Sequence, residues 1–260
     1  MIDRALCKQA LHERYAPRWP CPTCGRGTLQ LVRDSVRIYE TRASRLARNR
    51  DGWFEDDISE KFVAALVCDQ QACREPVAVA GATYHEPIDD GEGGQVWTRR
   101  LKPLYIDPPL PLISLPAACP ADIASEINAA LSLYWFDASS AANRVRAALE
   151  RILTFLKVSR YQGRGHDRRR LNLHRRIELF RAKRPELGDP MLAVKWIGNE
   201  GSHPGSVSRD DLLDAFQLLE HLLDEIFINR RAQISKISRT VLGLKGPRSK
   251  AHVLKRRKTI

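Results

Sequence analysis

No stretch of this sequence approaches the roughly 18 to 20 consecutive apolar residues that cross a bilayer, and the opening MIDRALCKQALHERY lacks the apolar core of a secretion signal. The reading is a cytoplasmic protein with no membrane partner. Acidic side chains are absent from residues 229–260, which hold eleven Lys and Arg residues, among them Lys255, Arg256, Arg257 and Lys258. The whole chain has 43 Lys plus Arg against 31 Asp plus Glu, so without that segment 32 basic side chains face 31 acidic ones. A uniformly basic nucleic-acid-binding body is therefore excluded, and the tail becomes a candidate phosphate-binding element. A length of 260 residues, 43% of them hydrophobic and 28% charged, suits one large globular domain or two small ones and excludes a fibre or a disordered tail.

Six cysteines without a secretion signal read as thiols or metal ligands in preference to disulfides. Cys21-Pro-Thr-Cys24-Gly25 has the form of a knuckle: the turn presents two thiolates to one ion, and the glycine accepts a left-handed conformation. Cys68 and Cys73, separated by four residues, form a second and wider pair. The expectation is one structural zinc ion held by Cys21, Cys24, Cys68 and Cys73, against the alternative of two unrelated thiol pairs. Cys7 and Cys119 have no partner pattern and read as structural.

Alternation through Leu29 and Leu31, and after a phase break through Val36 and Ile38, predicts short strands, as do the apolar runs 62–67 and 77–81. The acidic stretches Asp51–Asp57 and Glu86–Glu92 read as solvated loops. Six of the fifteen prolines fall between Pro103 and Pro120, which predicts an extended connector and a domain boundary. Beyond Pro120 the apolar period lengthens to helical spacing, through Ile123, Ile127, Leu131 and Tyr134 and then Val145, Leu149, Ile152 and Leu156. Weaker segments follow at 172–183 and 190–197, and the longest begins at the capping-box-like Ser208-Arg-Asp-Asp211. The fold class is thus α+β: a zinc-ribbon-like β module over 1–102, a proline-rich linker over 103–120, a helical bundle over 121–231 and a basic tail over 232–260.

Two segments carry candidate chemistry. Gly198-Asn-Glu-Gly-Ser-His-Pro204 is expected to end a helix and leave Asn199, Ser202 and His203 at its terminus, where a histidine can move a proton near neutral pH. The alternative is that these residues only cap helix ends. From Arg160 to Arg184 ten Lys or Arg residues stand against Asp167 and Glu178. The part 161–168 reads as a flexible loop able to fold over a nucleic-acid backbone, with Arg168, Arg169 and Arg170 as its contacts; the alternative is a solvated surface loop whose charge only aids solubility.

The motifs CPTCG, CDQQACREPVAVAG, PPLPLISLP, ANRVRAALERIL, AVKWIGNEGSH and SRDDLLDAFQLLEHLLDEIF, in this order from about Trp19 to Arg231, resemble the bacterial and archaeal domain-of-unknown-function family 4145. Members occur alone and as domains of type I restriction endonuclease subunits. The resemblance implies a helical part similar to the HEPN superfamily, many of whose members are dimeric, metal-independent ribonucleases of toxin–antitoxin and phage-defence systems with an Arg-Asn-x-x-x-His motif. Asn199 and His203 match that motif, Gly198 stands in place of its arginine, and Lys195, about one helical turn earlier, is the nearest substitute cation. The leading expectation is therefore a nucleic-acid- or nucleotide-binding HEPN-like protein without the full catalytic motif, with a zinc module beside it and a basic tail that holds phosphates. Its expected partner is RNA or DNA, and it is expected as a homodimer or in a restriction or defence assembly. Two alternatives stay open: a ribonuclease using His203 and Asn199 with Lys195 or an arginine from the segment around Arg168–Arg170 as its cation, and a protein-interaction or dimerisation module.

Overall fold

The computed structural model describes residues 4–49, 51–52, 58–89, 91, 94–200, 207–228 and 230–247, without the side chains of 230–232. After a short helix α1 (Arg4–Lys8) come strands β1 (Leu29–Leu31) and β2 (Arg37–Glu40), helix α2 (Arg42–Ala47), and strands β3 (Glu60–Cys68), β4 (Pro76–Asp89) and β5 (Gln95–Asp107). These strands form one antiparallel sheet in the order β1-β3-β4-β5, with β2 also paired to β3. Burial along β3 alternates, placing Phe62, Ala64, Leu66 and Cys68 inward, as a strand with one covered face requires. A bulge between Ala80 and Gly81 curls β4. Gly81 is needed there, since a Cβ would stand 2.1 Å from the Lys102 carbonyl oxygen and 2.7 Å from the Phe62 ring.

The second half is helical: α3 (Ala121–Leu133), α4 (Ala138–Phe155), the small hairpin β6 (Tyr161–Gln162) and β7 (Arg169–Arg170), α5 (Leu173–Arg181), α6 (Pro185–Glu200), α7 (Arg209–Leu223), a π-helical turn Asp224–Ile228, and α8 (Arg230–Leu244). Three of these helices start on a side-chain cap. Asp137 accepts from the Ser140 N–H, Asn172 from the Arg175 N–H, and Ser208 with Asp211 closes the expected capping box. Among the described residues no helix is long and apolar enough to cross a membrane.

The α+β class is as expected, but several local expectations are corrected. Residues Glu86–Asp89 are not a loop: β4 and β5 continue as a long hairpin paired from Ala82↔Lys102 to Asp89↔Gln95. Residues 53–57, in the other acidic stretch, lie outside the described residues. The proline-rich stretch is no solvated spacer; β5 runs through Pro103 to Asp107, and Leu110, Leu112 and Ile113 beyond it are buried. The helix expected from Pro190 begins at Pro185, since a proline at a helix start has no N–H to leave unsatisfied. The basic tail is helical through Leu244.

The two halves share a single apolar core. Trp19, between α1 and β1, and Trp135, between α3 and α4, are both buried, with ring centroids 5.8 Å apart. The Trp19 indole N–H donates to the Leu6 carbonyl at 3.0 Å. Leu11 is bridged to Leu101 of β5, while Lys8 pairs with Asp210 and Arg4 with Asp214, both of α7. The N-terminal segment thus straps sheet to bundle.

Candidate functional site

The two cysteine pairs meet. Cys21 and Cys24 flank a turn in which Gly25 takes φ +62°, the left-handed conformation the knuckle demands. The turn is held by the Gly25 N–H donating to the Cys21 carbonyl and the Cys21 N–H to the Gly27 carbonyl. Cys68 ends β3, and Cys73 follows in a turn closed by N–H donation from Cys73 and Arg74 to the Gln70 carbonyl. The four sulfurs lie within 4.8 Å of one another, with Cys21–Cys73 and Cys24–Cys68 both at 3.7 Å. Four thiolates placed tetrahedrally about 2.3 Å from a zinc ion stand roughly 3.8 Å apart, so the centre has the dimensions of a four-cysteine metal site.

Its electrostatics are uneven. Backbone N–H groups of Gly27 and Arg26 bring the Cys24 thiol down to about 6, and burial pushes Cys68 up to about 12. Gly27 was not singled out in the sequence, yet a Cβ on it would stand 2.4 Å from the Cys68 sulfur. Its N–H also donates to the Cys24 sulfur at 3.4 Å. The sequence signal for it lies three residues past the second knuckle cysteine. Cys7 and Cys119 stand outside the cluster.

The α6 terminus differs from expectation. Gly198 does not end the helix, which continues to Glu200; it is buried where α6 crosses α4, and a Cβ there would meet Arg146 Cβ at 2.9 Å and the Ala142 carbonyl oxygen at 3.2 Å. The glycine is a close-packing position. Asn199 is half-buried in the last turn of α6. Lys195 is buried, with Nζ 3.3 Å from the centroid of the Trp196 ring, and burial together with the nearby Arg146 lowers its pKa. Lys195 is thus already engaged by an aromatic face. Arg146 of α4 packs its Cβ against Gly198 and turns its guanidinium toward Glu150 at 3.7 Å, a neighbour that could not be read from sequence because it looks like an ordinary surface position of an amphipathic helix. Ser202 and His203 lie outside the described residues.

The segment 161–170 is a hairpin in place of the expected flexible loop. Tyr161 pairs with Arg170 and Gln162 with Arg169, and Gly163 and Gly165 take positive φ in the turn. Arg168, Arg169 and Arg170 are exposed on it, and the Arg168 guanidinium lies 4.0 Å from the Tyr161 ring centroid. The tail residues Lys255, Arg256, Arg257 and Lys258 lie outside the described residues.

The molecule thus carries a four-thiol centre on its sheet and an arginine-bearing hairpin on its helical half. Residues 128–241 match the family model described as Domain of unknown function (DUF4145), and residues 9–106 match a second, Domain of unknown function (DUF8608). The helical half is therefore a DUF4145 domain, as the motifs in it suggested. The sheet half, where the resemblance to family 4145 also rested on CPTCG and CDQQACREPVAVAG, matches a model of its own. No curated protein and no solved structure matches the chain.

Proposed function

We propose that the protein binds nucleic acid or nucleotides through the arginine-bearing hairpin of its helical half, with a zinc ion in the four-cysteine centre fastening the sheet. The observation that carries this reading is charge without compensation. Among the described residues, Arg160, Arg164, Arg168, Arg169 and Arg170 form no ion pair with a carboxylate, whereas Arg175, Arg181 and Arg184 nearby pair with Glu178, Asp189 and Glu186. An exposed row of unpaired guanidiniums on a hairpin suits the spacing and charge of a phosphate backbone. A cytoplasmic role in a restriction or phage-defence assembly is what the resemblance to restriction-subunit domains implies. Self-association is supported by α8, where Ile234, Ile237 and Val241 recur at helical spacing and are exposed.

The test is fluorescence anisotropy of labelled single-stranded RNA, single-stranded DNA and duplex DNA across a salt series. Changing Arg168, Arg169 and Arg170 together to Glu should weaken binding and reduce the salt slope by about two on single strands. Equal affinity and slope in the triple variant would refute the hairpin as the phosphate-binding element.

A second reading, ribonuclease action through His203 and Asn199, draws on one contact. The side chain of Arg146 starts beside Gly198, its Cβ 2.9 Å from where a Cβ on that glycine would stand, so Arg146 is a cationic residue of α4 at the position where the resemblance leads one to expect an arginine. RNA fragments in the same incubations, lost in both His203→Ala and Arg146→Gln, would select it.

A further inference from the structure

Between α4, the base of the β6–β7 hairpin and the start of α5 lies a cleft of about 670 Å³, lined by Arg146, Arg151, Arg160, Arg170 and Arg176 with Glu126 and Glu150. The two carboxylates are already engaged, Glu126 by Arg144 and Arg151 and Glu150 by Arg146. That leaves Arg160, Arg170 and Arg176 converging on one space with no ion pair to a carboxylate among the described residues, the charge of Glu150 offsetting only part of theirs.

Arg176 is the unusual member. Its side chain is buried, with a residue exposure of 5%, and all its hydrogen bonds go to neutral acceptors: Nη1 to the Glu150 carbonyl at 3.3 Å, and Nη2 to Thr154 Oγ1 at 3.1 Å and the Val158 carbonyl at 3.2 Å. Its buried Nε has no partner. Arg160 donates to the same Thr154 Oγ1, from Nε at 3.2 Å and Nη2 at 3.0 Å. Two guanidiniums therefore meet at one hydroxyl. Capping the C-terminal turn of α4 accounts for the Nη bonds of Arg176, but not for its unpartnered Nε or for the approach of Arg160 and Arg170. Burial, and then the charge of Arg160, lowers the Arg176 pKa, although an arginine keeps its proton. A buried, unpaired cation crowded by like charges is completed by an anion. The cleft also opens onto Asn172 and Leu173, where the nine-residue α5 begins and its dipole adds positive potential.

We propose that this cleft is a binding site for a phosphate monoester, recognised by the guanidiniums of Arg160, Arg170 and Arg176. The inference deepens the nucleic-acid reading and rests on it in one respect: the monoester would be the 5′ end of an oligonucleotide or a free mononucleotide. Its volume falls within the range of small-ligand sites, and a monoester carries more charge on its terminal oxygens than a bridging diester, which suits three converging forks.

The experiment titrates the full chain with adenosine 5′-monophosphate, with adenosine, and with one single-stranded RNA carrying either a 5′-phosphate or a 5′-hydroxyl. The expected result is binding of the monophosphate and not of adenosine, and at least about tenfold tighter binding of the phosphorylated RNA, the scale of a lost charge-assisted contact. Arg160→Gln and Arg176→Lys should each weaken the monophosphate by about tenfold or more. Should Arg176→Lys fail to fold, the exposed Arg160→Gln decides. Monophosphate binding without RNA binding would uphold the cleft and defeat the nucleic-acid reading. Equal affinity for the two RNAs with no monophosphate binding would overturn the cleft while the hairpin reading stands. Monophosphate binding that is unchanged in Arg160→Gln also overturns it.

Discussion

Gly198 of α6 and Arg146 of α4 approach so closely that no side chain fits between the two helices at that point: an added Cβ would lie 2.9 Å from Arg146 Cβ and 3.2 Å from the backbone oxygen of Ala142. A helical glycine replaced by alanine normally gains about 1 kcal/mol, while overpacking costs about 1 to 3 kcal/mol. Gly198→Ala should therefore lower stability by about 1 kcal/mol in urea unfolding, and Gly198→Arg by about 3 kcal/mol or more. Gly198→Arg should also yield no ribonuclease activity, because the helix crossing cannot admit the side chain. A stabilised Gly198→Ala would show that the crossing has room.

The four-cysteine centre is expected to hold about one zinc per chain in protein purified without chelator, and Cys68→Ser to lose it together with several kcal/mol of stability, as structural sites do. Cys7→Ser and Cys119→Ser should leave the zinc content unchanged, since neither thiol belongs to the cluster. Elemental analysis of the three variants checks this. Full zinc occupancy in Cys68→Ser would remove that residue from the ligand set.

Asp137 starts α4 by accepting from Ser140, at 2.9 Å from the N–H and 2.6 Å from the hydroxyl. These bonds hold its carboxyl below the ordinary range, so its contribution is complete above the unfolded value of about 4 and is lost as pH falls through the lower folded value. Asp137→Ala should cost about 1 kcal/mol at neutral pH. The stability difference between the natural protein and Asp137→Asn, which isolates the charge, should shrink as pH falls below about 4. A difference that is flat over that interval would disprove the charged cap.

Trp135 is 2% exposed, touches the rings of Trp19 and Tyr134, and accepts at its carbonyl from Arg209 at 2.6 Å. Because it lies where sheet and bundle share their core, Trp135→Ala should cost about 3 to 5 kcal/mol. In the natural protein, far-ultraviolet circular dichroism and tryptophan fluorescence should report one coincident unfolding transition. Two separated transitions would mean that the halves unfold independently.

The parts of this molecule written in local pattern were legible. The Cys21 and Cys24 knuckle, the Ser208 capping box and the periodic faces of α3, α4 and α7 depend on residues close in sequence, and each could be read from spacing alone. What escaped depends on contacts between distant segments. Gly198 looked like a helix terminator because glycine carries no record of what packs against it. Leu110, Leu112 and Ile113 looked like parts of a linker because proline-rich sequence does not reveal that a core will cover it. The cleft escaped for the same reason: Arg146 belongs to one helix, Arg160 and Arg170 to a hairpin, and Arg176 to another helix, and only the local excess over 160–184 hinted at it.

The N-terminal strap has a kinetic meaning. Arg4 and Lys8 reach α7 across sequence separations of 210 and 202 residues, so these contacts close loops that span most of the chain and carry a large closure entropy. If such contacts form after the nucleus, their loss changes how fast a protein comes apart more than how fast it assembles. Charge reversal at Lys8 should therefore accelerate unfolding while leaving the refolding rate nearly unchanged, which makes the strap a latch on the lifetime of the folded state.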